Sequence, residues 1–277
     1  MHAVARRMTL ARVAATTRRA SRPPSAAAST SPGLPDSITR VGGPSAFPNE
    51  YPGQNYAFNW ALNADGVTPL KKSAFRITKP LDLKVAGLPL PKTSPLRVDA
   101  GPAERDMMPE AGSDILDFDA FDLALQSTKD ALSLSDSLYC PEGYAPGTRT
   151  GVRVISNVGA GLAPDLVAYL DRAPRKDPRG VPVTCYVLRQ QRTSSSSSSG
   201  GGEEGAGEFS GYAIEEVEER MDDGSRVAVS VATVVVVGEE PSLRRVVAGI
   251  ELSVEGLEAD ARERAEKKAA EAEEKTA

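Results

Sequence analysis

Histidine is almost absent from this chain, which has one histidine, two cysteines and few aromatic side chains among its 277 residues. The single histidine, His2, stands next to the N-terminus. A Ser-His-Asp or Cys-His relay, and zinc or haem ligation through imidazole, all need a histidine in the folded part of a protein. Carboxylates, lysines and bound cofactors leave other chemistry open. The composition therefore favours a non-catalytic protein with no cofactor and no metal site.

Clustered cysteines and long apolar runs are also missing. Cys140 and Cys185 stand 45 positions apart and belong to no CxxC pair, so they are expected to be small core residues. The longest apolar run, residues 227–238, spans about 12 residues, whereas a membrane helix needs roughly 20. We expect no transmembrane segment, which leaves peripheral membrane association open.

Acidic residues are lacking at the start of the chain, although acids outnumber bases overall. Residues 1–35 contain no aspartate or glutamate and six arginines: Arg6, Arg7, Arg12, Arg18, Arg19 and Arg22. A basic segment rich in Ser, Thr and Ala is typical of an organellar transit peptide. Its arginine content favours the mitochondrion, in the matrix or on the matrix face of the inner membrane, with a plastid as the alternative. A basic tail that binds an anionic surface is the other interpretation.

Removal of residues 1–35 would change the charge of the chain. Taking six arginines from the 33 basic residues leaves 27 against 38 acidic residues, a net charge of about −11. Nucleic-acid binding needs a basic face that neutralises phosphates, so this balance argues against it. The same removal would take away His2.

Residues 36–110 are predicted to form an extended arm with an aromatic part and a basic part. Tyr51, Tyr56, Phe58 and Trp60 lie in its first half among Gly, Pro and Asn residues. Large rigid side chains of this kind are candidates for binding a partner protein. Alternatively, Tyr56, Phe58 and Trp60 alternate as one face of a strand that packs on the protein's own core.

The second half of the arm, residues 66–98, has seven basic residues, one acid and repeated prolines. The alternation of apolar residues predicts a short strand over residues 81–85. A cationic arm could follow an anionic partner or RNA, although stacking aromatics are lacking here. Solvation, or packing on the acidic body of the same chain, is the simpler interpretation.

An amphipathic helix is predicted after this arm, at the start of an α+β domain over residues 111–277. Ser113 or Asp114 can cap it, and Ile115, Phe118 and Phe121 begin its apolar face. The aspartates between them do not complete a calcium loop, which would need a glycine at its sixth position.

Residues 150–191 show the spacing of a βαβ unit: a strand over 151–156, glycines at 159 and 161, a helix over 163–172 and a strand over 181–188. In a dinucleotide-binding fold such glycines let the backbone approach a pyrophosphate. Gly159, Gly161 and Arg189 are therefore candidate cofactor-binding residues. However, Pro164 takes the third small position of GxGxxG, and it also suits the first turn of a helix that follows a plain loop.

The remaining sequence predicts a short antiparallel β-meander with flanking helices. Residues 181–192 and 209–220 are expected to pair as a hairpin around a disordered Ser/Gly insertion at 193–208. A valine-rich strand over 226–238 and a further strand over 243–254 follow. Residues 257–275, nearly all Ala, Glu, Lys and Arg, predict a charged helix that is either solvated or set against a charged partner.

These patterns together indicate an accessory or assembly subunit of a mitochondrial protein complex, whose partners are other protein subunits. Long arms that cannot fold alone are typical of proteins that wrap a neighbour. The alternative is a matrix enzyme or regulator that binds a nucleotide such as NADP at the Gly159/Gly161 turn.

Overall fold

The computed structural model describes residue 62 and residues 65–68, 74–172, 182–190, 208–220 and 226–276. Six strands and five helices occur in these residues. The strands are β1 (Ala74–Ile77), β2 (Leu138–Tyr144), β3 (Gly151–Ser156), β4 (Val183–Arg189), β5 (Phe209–Arg220) and β6 (Arg226–Gly238). The helices are α1 (Pro80–Val85), α2 (Pro102–Asp106), α3 (Phe118–Leu134), α4 (Ala163–Tyr169) and α5 (Leu243–Thr276).

The six strands form one mixed sheet in the order β1-β2-β3-β4-β6-β5. The pairs β1/β2, β3/β4 and β4/β6 are parallel, while β2/β3 and β5/β6 are antiparallel. The predicted α+β class with flanking helices is confirmed. The predicted βαβ unit is also confirmed, because β3, α4 and β4 follow one another and the two strands pair in parallel.

The predicted hairpin between residues 181–192 and 209–220 is wrong. β4 pairs with β6 in parallel along its whole length, from Val183 opposite Ala232 to Arg189 opposite Gly238. β5 pairs with β6 alone among the named strands and lies at the edge of the sheet. The sheet is therefore mixed, and the expected antiparallel meander is limited to the β5–β6 hairpin.

Helices cover both faces of the sheet. On one face, α3 packs Phe121 and Leu132 against strand residues such as Ile155, Leu188 and Val235. On the other, α5 and α4 cover the alternate strand residues, including Val154, Cys185 and Val234. We call these the α3 face and the α5 face. β4 and the second half of β6 have buried side chains on both faces, as is typical of strands with parallel neighbours.

The predicted strand over residues 243–254 is wrong, because these residues form the first third of α5. Their buried apolar residues, Val246, Val247, Ile250 and Val254, recur at helical spacing and pack on the α5 face. The predicted strand over residues 81–85 is also wrong. Pro80 opens α1, and the Asp82 carboxylate accepts hydrogen bonds from the backbone N–H groups of Thr78 and Lys79.

The predicted amphipathic helix is present as α3, but it begins later than expected. Asp117 caps it, since its carboxylate accepts a hydrogen bond of 2.7 Å from the Ala120 N–H. Ser113 instead stabilises the preceding turn, where its hydroxyl accepts from the N–H groups of Ile115 and Leu116. Ile115 therefore lies outside the helix and is 80 % exposed.

β2 was not predicted from the sequence, because it contains Pro141 and Gly143, which are uncommon inside strands. Gly143 is required by a close approach: a Cβ there would lie 2.5 Å from the carbonyl oxygen of Asp171. Asp171 in turn exchanges two backbone hydrogen bonds with Tyr144. Gly143, a residue type that usually interrupts a strand, thus allows the backbone of Asp171, just after α4, to lie directly against β2.

Candidate functional site

The predicted nucleotide-binding turn lies at the carboxyl ends of β3 and β4. Because these strands are parallel, both end at the same edge of the sheet. The Asn157 side chain joins the two ends: its amide donates to the Arg189 carbonyl at 3.1 Å, and its oxygen accepts from the Arg189 N–H at 2.8 Å. Open α/β sheets commonly bind ligands outside such strand ends. Here the asparagine bridges the gap between them.

The two glycines of this turn have different surroundings. A Cβ on Gly161 would lie 4.0 Å from an Arg189 guanidinium nitrogen, so the structure brings these two predicted residues together. A Cβ on Gly159 would lie 2.8 Å from the Tyr139 ring, so this glycine lets the loop pack on a side chain. The following helix, α4, has only seven residues, with Asp165 in its first turn. Nucleotide binding at this turn stays a prediction.

The predicted partner-binding aromatics, Tyr51, Tyr56, Phe58 and Trp60, lie outside the described residues, as does the predicted transit peptide over residues 1–35. Of the predicted arm, the structure describes residue 62 and residues 65–68 and 74–110. This part supplies β1 to the sheet and two short helices, of which α1 contacts β1 and α2 contacts α5.

An ionic network around a buried glutamate crosses β1, β2 and β3. Glu142, 8 % exposed, accepts hydrogen bonds from Arg76 at 2.7 Å and from Arg153 at 2.6 Å. Arg153 also donates to Asp65 at 2.7 Å. Burial by itself lowers the pKa of Arg153, but the attraction of Glu142 and Asp65 outweighs it and the pKa is raised. Because Glu142 is hydrogen-bonded to two arginines and Arg153 to two acids, this network links the side chains of β1, β2 and β3.

A cleft of about 170 Å³ lies between the start of α1 and the end of α4, with Ser94, Asp171 and Arg172 among its lining residues. This volume is below the roughly 300–1,000 Å³ of typical small-molecule sites. Glu142 also lines the cleft, but its carboxylate is held by the two arginines.

The cysteines are placed for packing and not for catalysis. Cys140 and Cys185 are both buried and free of disulfide bonds, on opposite faces of the sheet. Burial raises the pKa of each thiol, so neither is a thiolate at neutral pH. Among the described residues, no group of three or more His, Cys, Asp or Glu side chains could hold a metal ion.

The outer edge of β5 presents backbone hydrogen-bonding groups at one side of the sheet. Near its start, Tyr212 donates its N–H to the Pro109 carbonyl at 3.1 Å and accepts from the Ala111 N–H at 2.8 Å. The chain thus adds a short parallel segment to this edge, and it turns away at Gly112, which has a positive φ of 85°.

Beyond this turn the β5 edge has no partner within the described part of the chain. Backbone groups alternate in direction along a strand, so the outward direction at Tyr212 recurs at Ile214, Glu216 and Glu218. The other residues of this stretch face β6. This leaves three outward amide donors and three outward carbonyl acceptors. We call residues 214–218 the open edge.

Apolar side chains accompany the open edge on the α3 face. Val217 and Val229 lie opposite each other in the β5–β6 ladder, with Val227 and Val231 beside them. Val227 is 43 % exposed, the other three are partly exposed, and none of the four belongs to a core cluster. We call these four residues the valine patch.

Glutamates surround the open edge. Glu215, Glu216 and Glu218 are exposed, and residue 219 is also a glutamate. Glu216 lies 3.6 Å from Arg264 of α5 and Glu218 lies 3.1 Å from Arg226. This site was not predicted from the sequence, although the run Glu-Glu-Val-Glu-Glu within a predicted strand indicates an edge, since charged side chains are common on edge strands.

Comparison of the chain with protein-family models, curated proteins and solved structures finds no match. Within the described ranges, no helix combines the length and apolar character needed to cross a bilayer.

Proposed function

We propose that the protein is a non-catalytic accessory or assembly subunit of a mitochondrial protein complex, and that it acts by binding other protein subunits. The observation that carries this proposal is the open edge, where exposed backbone donors and acceptors lie beside the valine patch. An unpaired strand edge is a ready-made site for another chain. The composition of residues 1–35 supports the compartment.

The proposal is tested by the size of the native protein. Mitochondria are solubilised in mild detergent, separated on a density gradient and probed for this chain, with cross-linking mass spectrometry on intact organelles to identify neighbours. An accessory subunit migrates with an assembly several times heavier than its own 29.2 kDa and cross-links to its members. A protein that migrates only as a monomer in the matrix would contradict the proposal.

A second candidate function is binding of a nucleotide such as NADP at the Gly159/Gly161 turn. It is favoured by one observation, the approach of the Arg189 guanidinium to Gly161. Asp165 in the first turn of α4 counts against it, because a carboxylate there competes with a phosphate for the positive end of the helix. NADPH or ATP at 100 times its Kd would stabilise the protein by about 2.7 kcal/mol, which a thermal-shift assay detects readily. No shift in the wild type, or an equal shift in Arg189→Ala, would count against this function.

A further inference from the structure

The β5 edge already shows how it accepts another strand. Glu110 pairs in parallel with Tyr212, and Pro109 and Ala111 exchange backbone hydrogen bonds with that tyrosine. Gly112 then turns the segment away, so the open edge continues the same row of outward backbone groups without a partner. An incoming strand would extend a ladder that the protein has itself begun.

We propose that the open edge binds an extended basic segment of another protein by β-strand addition. The inference rests on the proposed function and adds the mode of binding and the chemistry of the partner. Backbone hydrogen bonds to Ile214, Glu216 and Glu218 supply the pairing, while side chains at alternate positions set the specificity.

Charge identifies the partner as basic. Glu215 is exposed, has no ion pair in the described part of the chain, and adjoins Val217 on the α3 face. The pairs Glu216–Arg264 and Glu218–Arg226 are partly or largely exposed, and such pairs are weak and easily exchanged. A partner strand with Lys or Arg opposite Glu215 and an apolar residue opposite Val217 complements both features. The excess of acids in the domain also attracts a basic segment from a distance.

The same charges argue against a second copy of this chain. An antiparallel two-fold pairing of two β5 edges centred on Val217 would set Glu216 opposite Glu218 of the other copy. A pairing centred on Glu216 would set the two Glu216 side chains opposite each other. Like charges directly opposite destabilise a ladder, so the acidic edge disfavours self-association while it favours a basic strand.

The test uses the full chain, isotope-labelled for NMR, and the seven-residue peptide Lys-Thr-Val-Thr-Lys-Thr-Val, whose lysines and valines alternate on one face of a strand, as Glu215 and Val217 do on β5. Its control is the same peptide with glutamate in place of each lysine. We expect the lysine peptide to shift the amide resonances of Ile214, Glu216 and Glu218 and to bind roughly tenfold more tightly than the control. Equal binding of the two peptides, or shifts confined to another surface, would overturn the inference.

Two substitutions at one position separate the contribution of the backbone hydrogen bond to peptide affinity from that of the side-chain charge. Glu216→Pro removes an outward N–H that β6 does not use, so the hairpin can keep its pairing. We expect it to lower the affinity for the lysine peptide about tenfold, because a hydrogen bond is lost and the proline ring obstructs the incoming strand. Glu216→Gln keeps the N–H and loses an exposed charge, so we expect an effect of about fivefold at most. Equal affinity of the proline variant and the wild type would refute strand addition.

Two further variants keep the test decisive if Glu216→Pro does not fold. Glu218→Pro removes the next outward N–H, nearer the end of the strand, and should lower the affinity for the lysine peptide by a similar factor. Glu215→Lys leaves the backbone intact and should shift the preference toward the glutamate peptide. Retained preference for lysine would refute the assigned partner chemistry. A wild-type dimer in sedimentation that Glu216→Pro abolishes would instead identify a second copy as the occupant.

The inference and the proposed function fail in different ways. If the wild type migrates with a large assembly and Glu216→Pro still does so while Glu216→Gln behaves as wild type, the open edge is not the docking site and the accessory role stands. If the wild type migrates as a monomer, the accessory role fails, and the peptide measurements decide separately whether the edge binds basic strands.

Discussion

Two glycines of α5 allow a matched test of how closely this helix packs on the sheet. A Cβ on Gly249 would lie 2.5 Å from Cγ1 of Val234, which is fully buried in β6. A Cβ on Gly256 would instead meet the terminal Cδ1 of Ile214, which is partly exposed on β5. Both glycines lie in the interior of the helix, so replacement by alanine gives each the same gain in helix propensity, about 1 kcal/mol.

The two neighbours differ in their ability to move. Val234 has one side-chain torsion and packed surroundings, so relief of the contact with Gly249→Ala requires a shift of the helix or of β6. Overpacking of this kind costs about 1–3 kcal/mol, which exceeds the gain in propensity. Ile214 can move its terminal methyl by rotation about its second torsion. We therefore expect Gly249→Ala to lower the free energy of unfolding by up to about 2 kcal/mol, and Gly256→Ala to raise it by about 0.5–1 kcal/mol.

The assay is urea denaturation followed by circular dichroism, with thermal melting as the second measurement. For a domain of this size, 1 kcal/mol corresponds to roughly 2–4 °C in Tm. Gly249→Ala should therefore melt below the wild type and Gly256→Ala at or above it. If Gly249→Ala is as stable as the wild type, the packing argument is wrong. Equal losses in both variants would show that the distance between helix and sheet, and not the rigidity of Val234, sets the cost.

Three further predictions concern the remaining polar and reactive groups. Glu142→Gln should lower the free energy of unfolding by about 1–2 kcal/mol, measured by urea titration, because it removes a buried carboxylate from two arginines, of which Arg153 keeps its pair with Asp65 and Arg76 is 44 % exposed; a loss below about 0.5 kcal/mol would contradict this. Cys140 and Cys185 should not react with Ellman's reagent at pH 8 in the native protein, since burial raises their pKa, and should react once urea unfolds the chain. Asp117→Ala should cost about 1 kcal/mol through loss of the α3 cap, and Asp117→Asn should recover most of it.

Local patterns predicted the β3–α4–β4 unit well. The strand at Gly151–Ser156 has the predicted bounds, and α4 begins at Ala163 as expected. Proline at the start of a helix and apolar runs bounded by turn residues report on the chain within a few positions, and they need no knowledge of distant contacts. The position of Arg189 beside Gly161 follows from the same unit.

Tertiary contacts determine the secondary structure of the segments for which the sequence-based prediction was wrong. Residues 243–254 are rich in β-branched side chains, which favours a strand by propensity alone. The same residues place Val246, Ile250 and Val254 four positions apart, so a helix buries all three against β6 and β4. Burial of one complete face outweighs the small propensity penalty of each valine.

The side chains of β5 and β6 explain why β6 pairs with β4 while β5 lies at the edge of the sheet. Residues 191–207, between β4 and β5, are long enough that β5 need not lie beside β4, and closing a longer loop costs little. The strand beside β4 must bury side chains on both faces. β6 can do so through Val234–Val237, whereas β5 has four glutamates in its second half. Burial therefore selects β6 for the interior and leaves the acidic strand outside. Because β5 lies at the edge, the outward backbone groups of Ile214, Glu216 and Glu218 are left without a neighbouring strand. The glutamates that keep β5 out of the core are therefore the same residues that form the acidic surface we propose for a basic partner strand.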